Sequence, residues 1–556
     1  MAEESSIQKR RINSKFFTKV IYFFPVQLLF LHIKRNHILL LFWLVLFLYV
    51  SGNLGVGFGI DTLFLAPIYM GQIGPWSFLI IGFSLGGFIM AFHIYSYILF
   101  SRDFTFLATL SRPFLKFCLN NMLIPSLFIL TYLVQIYFFL TEEELMNSGI
   151  VMIYIVCVLI GLFIFYILSI LYFIQFNKNV FVISGKTETY FENLGNDKVK
   201  ESNFIKKKKN SRVNVYKNTW RVDTYLSNFF SINIARSTKH YDKELIQKVF
   251  TQNHVNASIF ELALIISFLG IGFFRDISWL NIPAGASIFL LFTLLIMLFS
   301  VLYSWFKGWT LTFLILAVVS FNFLTNRFQL FQFRNYAYGL NYDLKPKYDH
   351  ENISELQQDK LKVENSIKEN IEILTHWSQK NKGINKPKMV FINTSGGGLR
   401  SALWTVHVLS FLDSITNQQL IKQTHLITGA SGGMIGAAFY RENYKKGIYG
   451  ETMVNGNEMK SRISKDLLNP LAFSIATTDM FYRFKKHDDG KYIYTKDRGW
   501  FFEKNLIENL NCFEGKRILD YKLPEYHSDI PMMIFSPSVV NDGRRLLISP
   551  QKITFL

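Results

Sequence analysis

The sequence contains very few cysteines, and no pair of them has the spacing of metal ligands. Only three of the 556 residues are cysteine, and two of these, Cys118 and Cys157, lie in apolar stretches. A disulfide framework and a zinc site are therefore not expected. We predict that the chain uses no metal and no cofactor.

Charged residues are also scarce, whereas apolar residues are abundant. Asp, Glu, Lys and Arg make up 18% of the chain, hydrophobic residues 50% and aromatic residues 17%. In an ordinary soluble protein, about a quarter of the residues are charged. The apolar residues are concentrated before about residue 325, which is typical of a polytopic membrane region.

Seven apolar stretches are candidates for membrane-spanning helices. They lie at 37–53, 76–99, 118–140, 150–174, 258–274, 281–304 and 308–325. The stretch 18–33 is shorter and flanked by lysines, so an interfacial helix is predicted there. The N-terminus does not resemble a cleaved signal peptide, and the first span is expected to remain as an anchor. Glu261 lies near the start of the fifth stretch, so its carboxylate is expected to reach the membrane interface.

The formal net charge of +19 is unevenly distributed. Lysine and arginine are frequent in 1–36 and in 177–256, which includes the run Lys206–Lys209, but absent from the loop at 52–75. The positive-inside rule places the N-terminus and the long loop in the cytoplasm. Because such charge contacts anionic lipid headgroups, nucleic-acid binding is not expected. Six or seven spans would put the C-terminal domain on opposite sides of the membrane.

These patterns divide the chain into five regions. They are a basic cytoplasmic or interfacial N-terminus (1–36), transmembrane helices (37–176), a basic cytoplasmic loop (177–256), further transmembrane helices (257–326) and a soluble domain (345–556). In the soluble domain, KMVFINT and THLITGAS are predicted strands, and each is followed by a predicted helix. This alternation predicts an α/β fold with a mainly parallel sheet and flanking helices.

The stretch GASGG, residues 429–433, fits the pattern G-x-S-x-G at a predicted strand-to-helix turn. A sharp turn of this kind exposes the central hydroxyl, and its neighbours must be small to avoid clashes. The helix that begins there directs backbone N–H groups toward developing negative charge. The pattern makes Ser431 a candidate nucleophile, with Gly429 and Gly433 as the small residues of its turn, but an ordinary glycine-rich strand-to-helix turn has the same pattern.

A glycine triplet, Gly396–Gly398, follows the preceding strand. Without side chains, its N–H groups can closely approach either a phosphate or the oxyanion of an acyl-transfer reaction. The chain lacks the G-x-x-x-x-G-K-[ST] pattern of a phosphate loop, and Ser401 replaces the third glycine of a dinucleotide fingerprint. Since neighbouring parallel strands end at the same sheet edge, the triplet and Ser431 are expected to meet there.

With SGGGLR at 395–400 and GASGG at 429–433, the region from about 385 to 556 resembles the patatin-like phospholipase family. The resemblance implies a lipid acyl hydrolase with a Ser–Asp dyad, in which Ser431 is the nucleophile. It also implies that the amides of Gly396, Gly397 and Gly398 form the oxyanion hole. Arg400 matches the arginine that usually follows the family's glycines and would support the oxyanion or the substrate. Membrane lipids are the implied substrates, and the oligomeric state is left open.

The family places its dyad aspartate in an Asp-Gly element after a later strand, and this chain offers Asp542-Gly543. Two interpretations stay open. Asp542 is the general base for Ser431, or it belongs to an Asn-Asp-Gly turn of a β-hairpin and the dyad aspartate lies beyond Leu556.

Other functions also stay open. An α/β-hydrolase with a Ser-His-Asp triad would need a later histidine, and His487 and His527 are available. A receptor or scaffold carrying an inactive patatin-like domain is a second alternative, and a transporter regulated by its basic loop is a third.

The low cysteine content fits a multi-pass protein of the bacterial inner membrane.

Overall fold

The structure is a computed structural model of the full chain. It describes residues 16–176, 220–238, 241–274, 277–306, 309–328, 349–480, 485–488, 493–540 and 542–555, with a few isolated positions between them. The basic run Lys206–Lys209 and the first fifteen residues, which include part of the basic N-terminus, lie outside the described residues.

The chain divides into two compact units. Unit 1 comprises Met1–Arg334 and Leu468–Arg498, and unit 2 comprises Asn335–Leu467 and Gly499–Leu556. The segment Leu468–Arg498 therefore groups with the apolar half of the chain, although it falls inside the soluble region drawn from the sequence. Within unit 1, the side-chain amide of Asn469 explains this grouping, because it binds backbone groups of Ala284 and Ile68.

Unit 1 is mainly helical. Its helices are α1 (Phe16–Ile21), α2 (Phe24–Arg35), α3 (His37–Val50), α4 (Ile60–Leu65), α5 (Pro75–Phe100), α6 (Pro113–Asn120), α7 (Leu123–Phe138), α8 (Ser148–Phe176), α9 (Lys243–Phe273), α10 (Ala284–Phe306) and α11 (Thr310–Phe328), and α18 (Leu468–Ser474) joins them. Its short antiparallel strand pairs are β1 (Ile68–Tyr69) with β2 (Gln72–Ile73), β3 (Thr224–Asn228) with β4 (Ser231–Ile234), and β7 (Lys486–Asp488) with β8 (Ile493–Thr495).

In the part of the chain that the structure describes, five helical segments are long and apolar enough to cross a membrane. They are Pro75–Asp103, Leu123–Glu143, Ser148–Phe176, Lys243–Phe273 and Ala284–Phe306. Five of the seven predicted stretches correspond to them, so these stretches form helices of the length and apolarity expected for membrane spans. Helices α2 and α3 meet at a bend of 101° and would together make one broken span, whereas Thr312–Thr325 is shorter.

Small residues let helices α5 and α8 pack with their backbones in contact. A β-carbon on Gly82 would overlap the carbonyl oxygen of Val158, and one on Gly161 would overlap that of Leu79. Close backbone approach through glycine is a common way for apolar helices to associate in membranes. These contacts are part of the apolar core of unit 1.

The prediction that Glu261 reaches the membrane interface is wrong. Its side chain is 0% exposed. Helix α9 begins at Lys243, well before the apolar stretch that starts at residue 258, so Glu261 lies in the interior of the helix instead of near its end.

Unit 2 combines helices with a small parallel sheet. Its helices are α12 (His350–Gln358), α13 (Lys360–Lys380), α14 (Gly398–Ile415), α15 (Gln419–Gln423), α16 (Ser431–Ile448), α17 (Gly456–Ile463), α19 (Arg498–Leu510) and α20 (Lys522–Tyr526). Its strands are β5 (Val390–Thr394), β6 (Thr424–Gly429) and β9 (Met532–Phe535), which pair in parallel in the order β5-β6-β9. The predicted parallel arrangement is thus present as a three-stranded sheet.

Candidate active site

The carboxyl ends of the three parallel strands are aligned at one edge of the sheet. Thr394, Gly429 and Phe535 are register partners at the last positions of β5, β6 and β9. The loop Ser395–Gly397 leaves β5 at this edge, and Ala430 leads from β6 directly into α16. The glycine triplet and the serine turn are therefore neighbours, as the sequence predicts for consecutive parallel strands.

Ser431 has a backbone conformation that is rare for a residue with a side chain. It is the first residue of α16, and its φ angle is +55°, in the left-handed region. Such a conformation costs on the order of 1–3 kcal/mol and persists only where the surrounding structure enforces it. The side chain is exposed at the sheet edge. A strained, exposed serine between a strand and a helix is the geometry of a nucleophile elbow.

Gly429 is required by the turn that precedes Ser431. Its φ angle is +154°, and a β-carbon there would overlap the Thr394 hydroxyl of the neighbouring strand. On the other side of the serine, Gly396 is close enough that its β-carbon would lie 3.3 Å from Ser431 Cβ. The triplet therefore lies directly beside the candidate nucleophile.

Helices α14 and α16 cross with their backbones touching, which fixes the distance between the two motifs. A β-carbon on Gly432 would overlap the carbonyl oxygen of Gly398, and one turn later a β-carbon on Gly436 would overlap that of Ala402. Gly433 lies equally close to the carbonyl oxygen of Ser395. The glycines after the serine thus allow the triplet loop to pack against the start of α16.

The backbone N–H groups of the triplet are available to a ligand. Among the described residues, Gly396, Gly397 and Gly398 donate no hydrogen bond from these groups. The first turn of α16 adds the unpaired N–H groups and the partial positive charge of a helix N-terminus. Since both donor sets border the same exposed serine, they can stabilise an oxyanion that forms beside it.

Ser401 holds the triplet loop in place, a role that sequence analysis missed. Its hydroxyl donates a 2.6 Å hydrogen bond to the carbonyl oxygen of Ser395. In the sequence, Ser401 is only the residue that replaces the third glycine of a dinucleotide fingerprint. Its hydrogen bond to a residue six positions earlier forms because the chain turns from the loop into α14, and a local sequence pattern does not show that turn. Arg400 is exposed in the first turn of α14, beside the triplet.

Asp542 lies in an exposed turn of the predicted hairpin. Antiparallel bridges join Phe535 to Ile548 and Ser538 to Arg545 on either side of this turn. The carboxylate accepts hydrogen bonds from the Arg544 backbone N–H at 3.0 Å and from its guanidinium at 2.8 Å. These bonds hold the pKa of Asp542 below its usual value. In the structure, Asp542 therefore belongs to the turn of the hairpin. Among the described residues, no side chain hydrogen-bonds the Ser431 hydroxyl.

The two histidines considered for a Ser-His-Asp triad lie elsewhere. His487 belongs to strand β7 of unit 1. His527 follows α20 in unit 2, where its ring lies near those of His376 and Tyr526.

A buried charged cluster anchors the helix that carries Ser431. Arg441 of α16 pairs with Glu525, and the exposed fractions of their side chains are only 4% and 0%. Arg441 also donates to the Pro531 carbonyl at 3.0 Å, and Tyr521 donates to Glu442 at 2.7 Å. Burial raises the pKa of Glu525 to about 7, although Arg441 opposes the shift. The sequence gives no sign of this cluster, because its members are far apart along the chain.

In the described part of the chain, no group of three His, Cys, Asp or Glu side chains is arranged to hold a metal ion. The three cysteines are free. In the comparisons with known proteins, no family model matches the chain, and neither a curated protein nor a solved structure matches it.

Proposed function

We propose that unit 2 is a serine acyl hydrolase of the patatin type and that it acts on acyl esters of membrane lipids. The observation that carries this proposal is the left-handed conformation of Ser431 at the start of α16, with Gly396 beside it. A strained serine is retained where an exposed, directed hydroxyl is useful. The resemblance of SGGGLR and GASGG to the patatin-like motifs supports the same assignment.

In the proposed reaction, the Ser431 hydroxyl attacks an ester carbonyl and loses its proton to a general base. The N–H groups of Gly396, Gly397 and Gly398 stabilise the tetrahedral oxyanion, and one such donor typically contributes about 10²–10³ in rate. Water then releases the fatty acid from the acyl-enzyme. Asp542 is one candidate for this base, although Arg544 binds its carboxylate in an exposed turn, and a dyad aspartate beyond Leu556 is the other. Arg400 would support the oxyanion or the substrate.

The apolar half of the chain supports a lipid substrate. Five helical segments are suited to crossing a membrane, so the hydrolase is covalently attached to a membrane-embedded region. An anchored enzyme meets lipid at high local concentration, which favours membrane lipids over soluble esters. We propose the bacterial inner membrane as its location.

Hydrolysis of chromogenic esters tests this proposal. The full chain, purified in detergent, is compared with Ser431→Ala and with Ser461→Ala, which removes an exposed serine hydroxyl elsewhere in unit 2. We expect turnover of long-chain esters by the unmodified chain and by Ser461→Ala, and a loss of at least about 10³-fold in Ser431→Ala. Equal turnover by all three proteins would contradict the assignment of Ser431.

One observation favours a second candidate, a non-hydrolytic patatin-like domain on a membrane receptor or scaffold. The Ser431 hydroxyl has no hydrogen-bonding side chain among the described residues. A serine hydroxyl is a weak nucleophile without a positioned base. This candidate predicts no turnover by the folded, unmodified chain.

A further inference from the structure

Unit 1 contains a cavity that is independent of the serine site. Its volume is about 390 Å³, within the range of small-ligand pockets. Four segments of the chain line it: 102–106 after α5, 220–222 before β3, 235–238 after β4, and 241–250, which leads into the first turns of α9. The Thr105 and Thr238 hydroxyls are hydrogen-bonded at 2.7 Å and join two of these segments.

The floor of the cavity is apolar. Phe104, Phe106, Tyr241, Ile246 and Phe250 line it, and the exposed fraction of each of these side chains is at most 6%. An apolar floor of this kind accepts the hydrocarbon part of a ligand and excludes water from it.

The rim of the cavity is cationic. Arg102, Arg236 and Lys243 line the cavity and are exposed, as is Arg221, whose guanidinium is paired with the Asp223 carboxylate at 2.9 Å. Among the described residues of the lining, Asp103 is the only acidic one. The Asp103 carboxylate is already bound at 2.9 Å by Arg35, which lies outside the lining. The rim therefore carries a surplus of positive charge that can attract an anion.

The position of the cavity indicates what kind of anion would reach it. Arg102 and Asp103 stand at the end of the candidate span Pro75–Asp103, whereas Lys243 begins α9 in the polar part that precedes its apolar stretch. The cavity thus adjoins the end of one candidate span. Basic pockets beside the end of a span, on the side predicted to be cytoplasmic, match the anionic lipids of that leaflet.

We propose that this cavity binds a phosphate-bearing anion, with the phosphate at the cationic rim and the attached hydrocarbon on the aromatic floor. The ligand chemistry is that of an anionic phospholipid headgroup, and a water-soluble phosphate shares its charged part. Arginine suits such a ligand because its planar fork donates two hydrogen bonds to phosphate oxygens.

Binding to the full chain in phosphatidylcholine nanodiscs tests the proposal. The probes are a short-chain, ether-linked phosphatidic acid, the matching phosphatidylcholine and inorganic phosphate, measured by isothermal titration calorimetry. The ether linkage removes the ester, so hydrolysis at Ser431 does not enter the measurement. The lining variant carries Arg102→Gln and Lys243→Gln. The matched control carries Arg112→Gln and Lys248→Gln, which remove two exposed cations that do not line the cavity.

We expect phosphatidic acid to bind the unmodified chain and the control within about twofold of each other, and the lining variant about 10–30-fold more weakly. Thermal unfolding without ligand establishes that both double variants are folded. If inorganic phosphate displaces the lipid, the cavity recognises phosphate itself; if it does not, the hydrocarbon part is required, and both results support the site. Equal binding of phosphatidylcholine, or equal weakening in the lining variant and the control, would overturn the proposal.

Discussion

The backbone of Gly432 packs against the carbonyl group of Gly398, and this contact joins the serine helix to the glycine triplet. Gly398 opens α14, and Gly432 follows Ser431 at the start of α16. Because the two helices touch here without intervening side chains, the glycine triplet and the candidate nucleophile share one junction. The geometry of the proposed site depends on that junction.

Gly432→Ala tests the junction. The new methyl group would overlap the Gly398 carbonyl oxygen and force α14 and α16 apart, so we expect a loss of about 1–3 kcal/mol in stability and of most serine reactivity. The matched control is Gly383→Ala, where no atom lies within 4 Å of the new methyl group. Thermal unfolding of the full chain and labelling with a serine-reactive probe measure both effects. A fully stable and reactive Gly432→Ala protein would show that the helices do not cross in this way.

Ser401→Ala tests the loop that presents the triplet. Loss of the 2.6 Å hydrogen bond to the Ser395 carbonyl frees the loop, and we expect about a tenfold slower serine labelling at a stability cost of about 1 kcal/mol. Ser414→Ala is the control, because this serine of the same helix hydrogen-bonds the local Phe411 carbonyl at 2.8 Å. If the two variants label equally fast, Ser401 does not position the loop.

Asp542→Asn distinguishes the two interpretations of the late Asp-Gly pair. Arg544 binds the carboxylate in an exposed turn and holds its pKa below the usual value, which makes it a weak base. We expect labelling of Ser431 to change by less than about twofold, since asparagine also suits the turn. Labelling rates across pH 6 to 9 provide the measurement. A loss of several orders of magnitude in the folded variant would instead identify Asp542 as the base of the dyad.

Glu525 predicts how the stability of unit 2 depends on pH. Burial raises its pKa from 4.5 to about 7, so the folded protein binds this proton more tightly than the unfolded chain does. Its contribution to stability is therefore fully present below about pH 4.5 and declines as pH rises to 7, by about 3 kcal/mol in total. Thermal unfolding of the full chain between pH 4.5 and 8 should show this decline, and Glu525→Gln should flatten it. Glu508→Gln, at an exposed position, should leave the decline unchanged.

The sequence predicts those helices and strands that depend on local patterns of residues. Hydropathy located the five long apolar helices, and the alternation of apolar runs with glycine turns located β5, β6 and the helices that follow them. Where a helix begins in the polar segment before an apolar stretch was harder to predict. The beginning of α9 at Lys243 carries Glu261 into the interior of that helix, and this start has no hydrophobic signal.

The two helices before β5 also depend on contacts beyond local pattern. Asp359 ends α12 and caps α13. In α13, Leu361 and Ile371 are exposed, whereas Ile373 and Trp377 are buried. Which apolar side chains of a helix are covered depends on neighbours distant in sequence.

The sequence predicts only part of the candidate site. Ser431 and the triplet follow from their motifs, whereas the φ angle of the serine depends on the surrounding fold. The positioning role of Ser401 and the pair of Arg441 with Glu525 depend on contacts that no local pattern encodes.

Labelling by a fluorophosphonate probe tests the central claim most directly, since it reports an activated serine without requiring the natural substrate. Membranes containing the full chain are compared with those containing Ser431→Ala and Ser461→Ala. We predict that the unmodified chain and Ser461→Ala are labelled and that Ser431→Ala is not. If Ser431→Ala is labelled as strongly as the others, or if no form is labelled although unit 2 is folded, Ser431 is not the nucleophile of an acyl hydrolase.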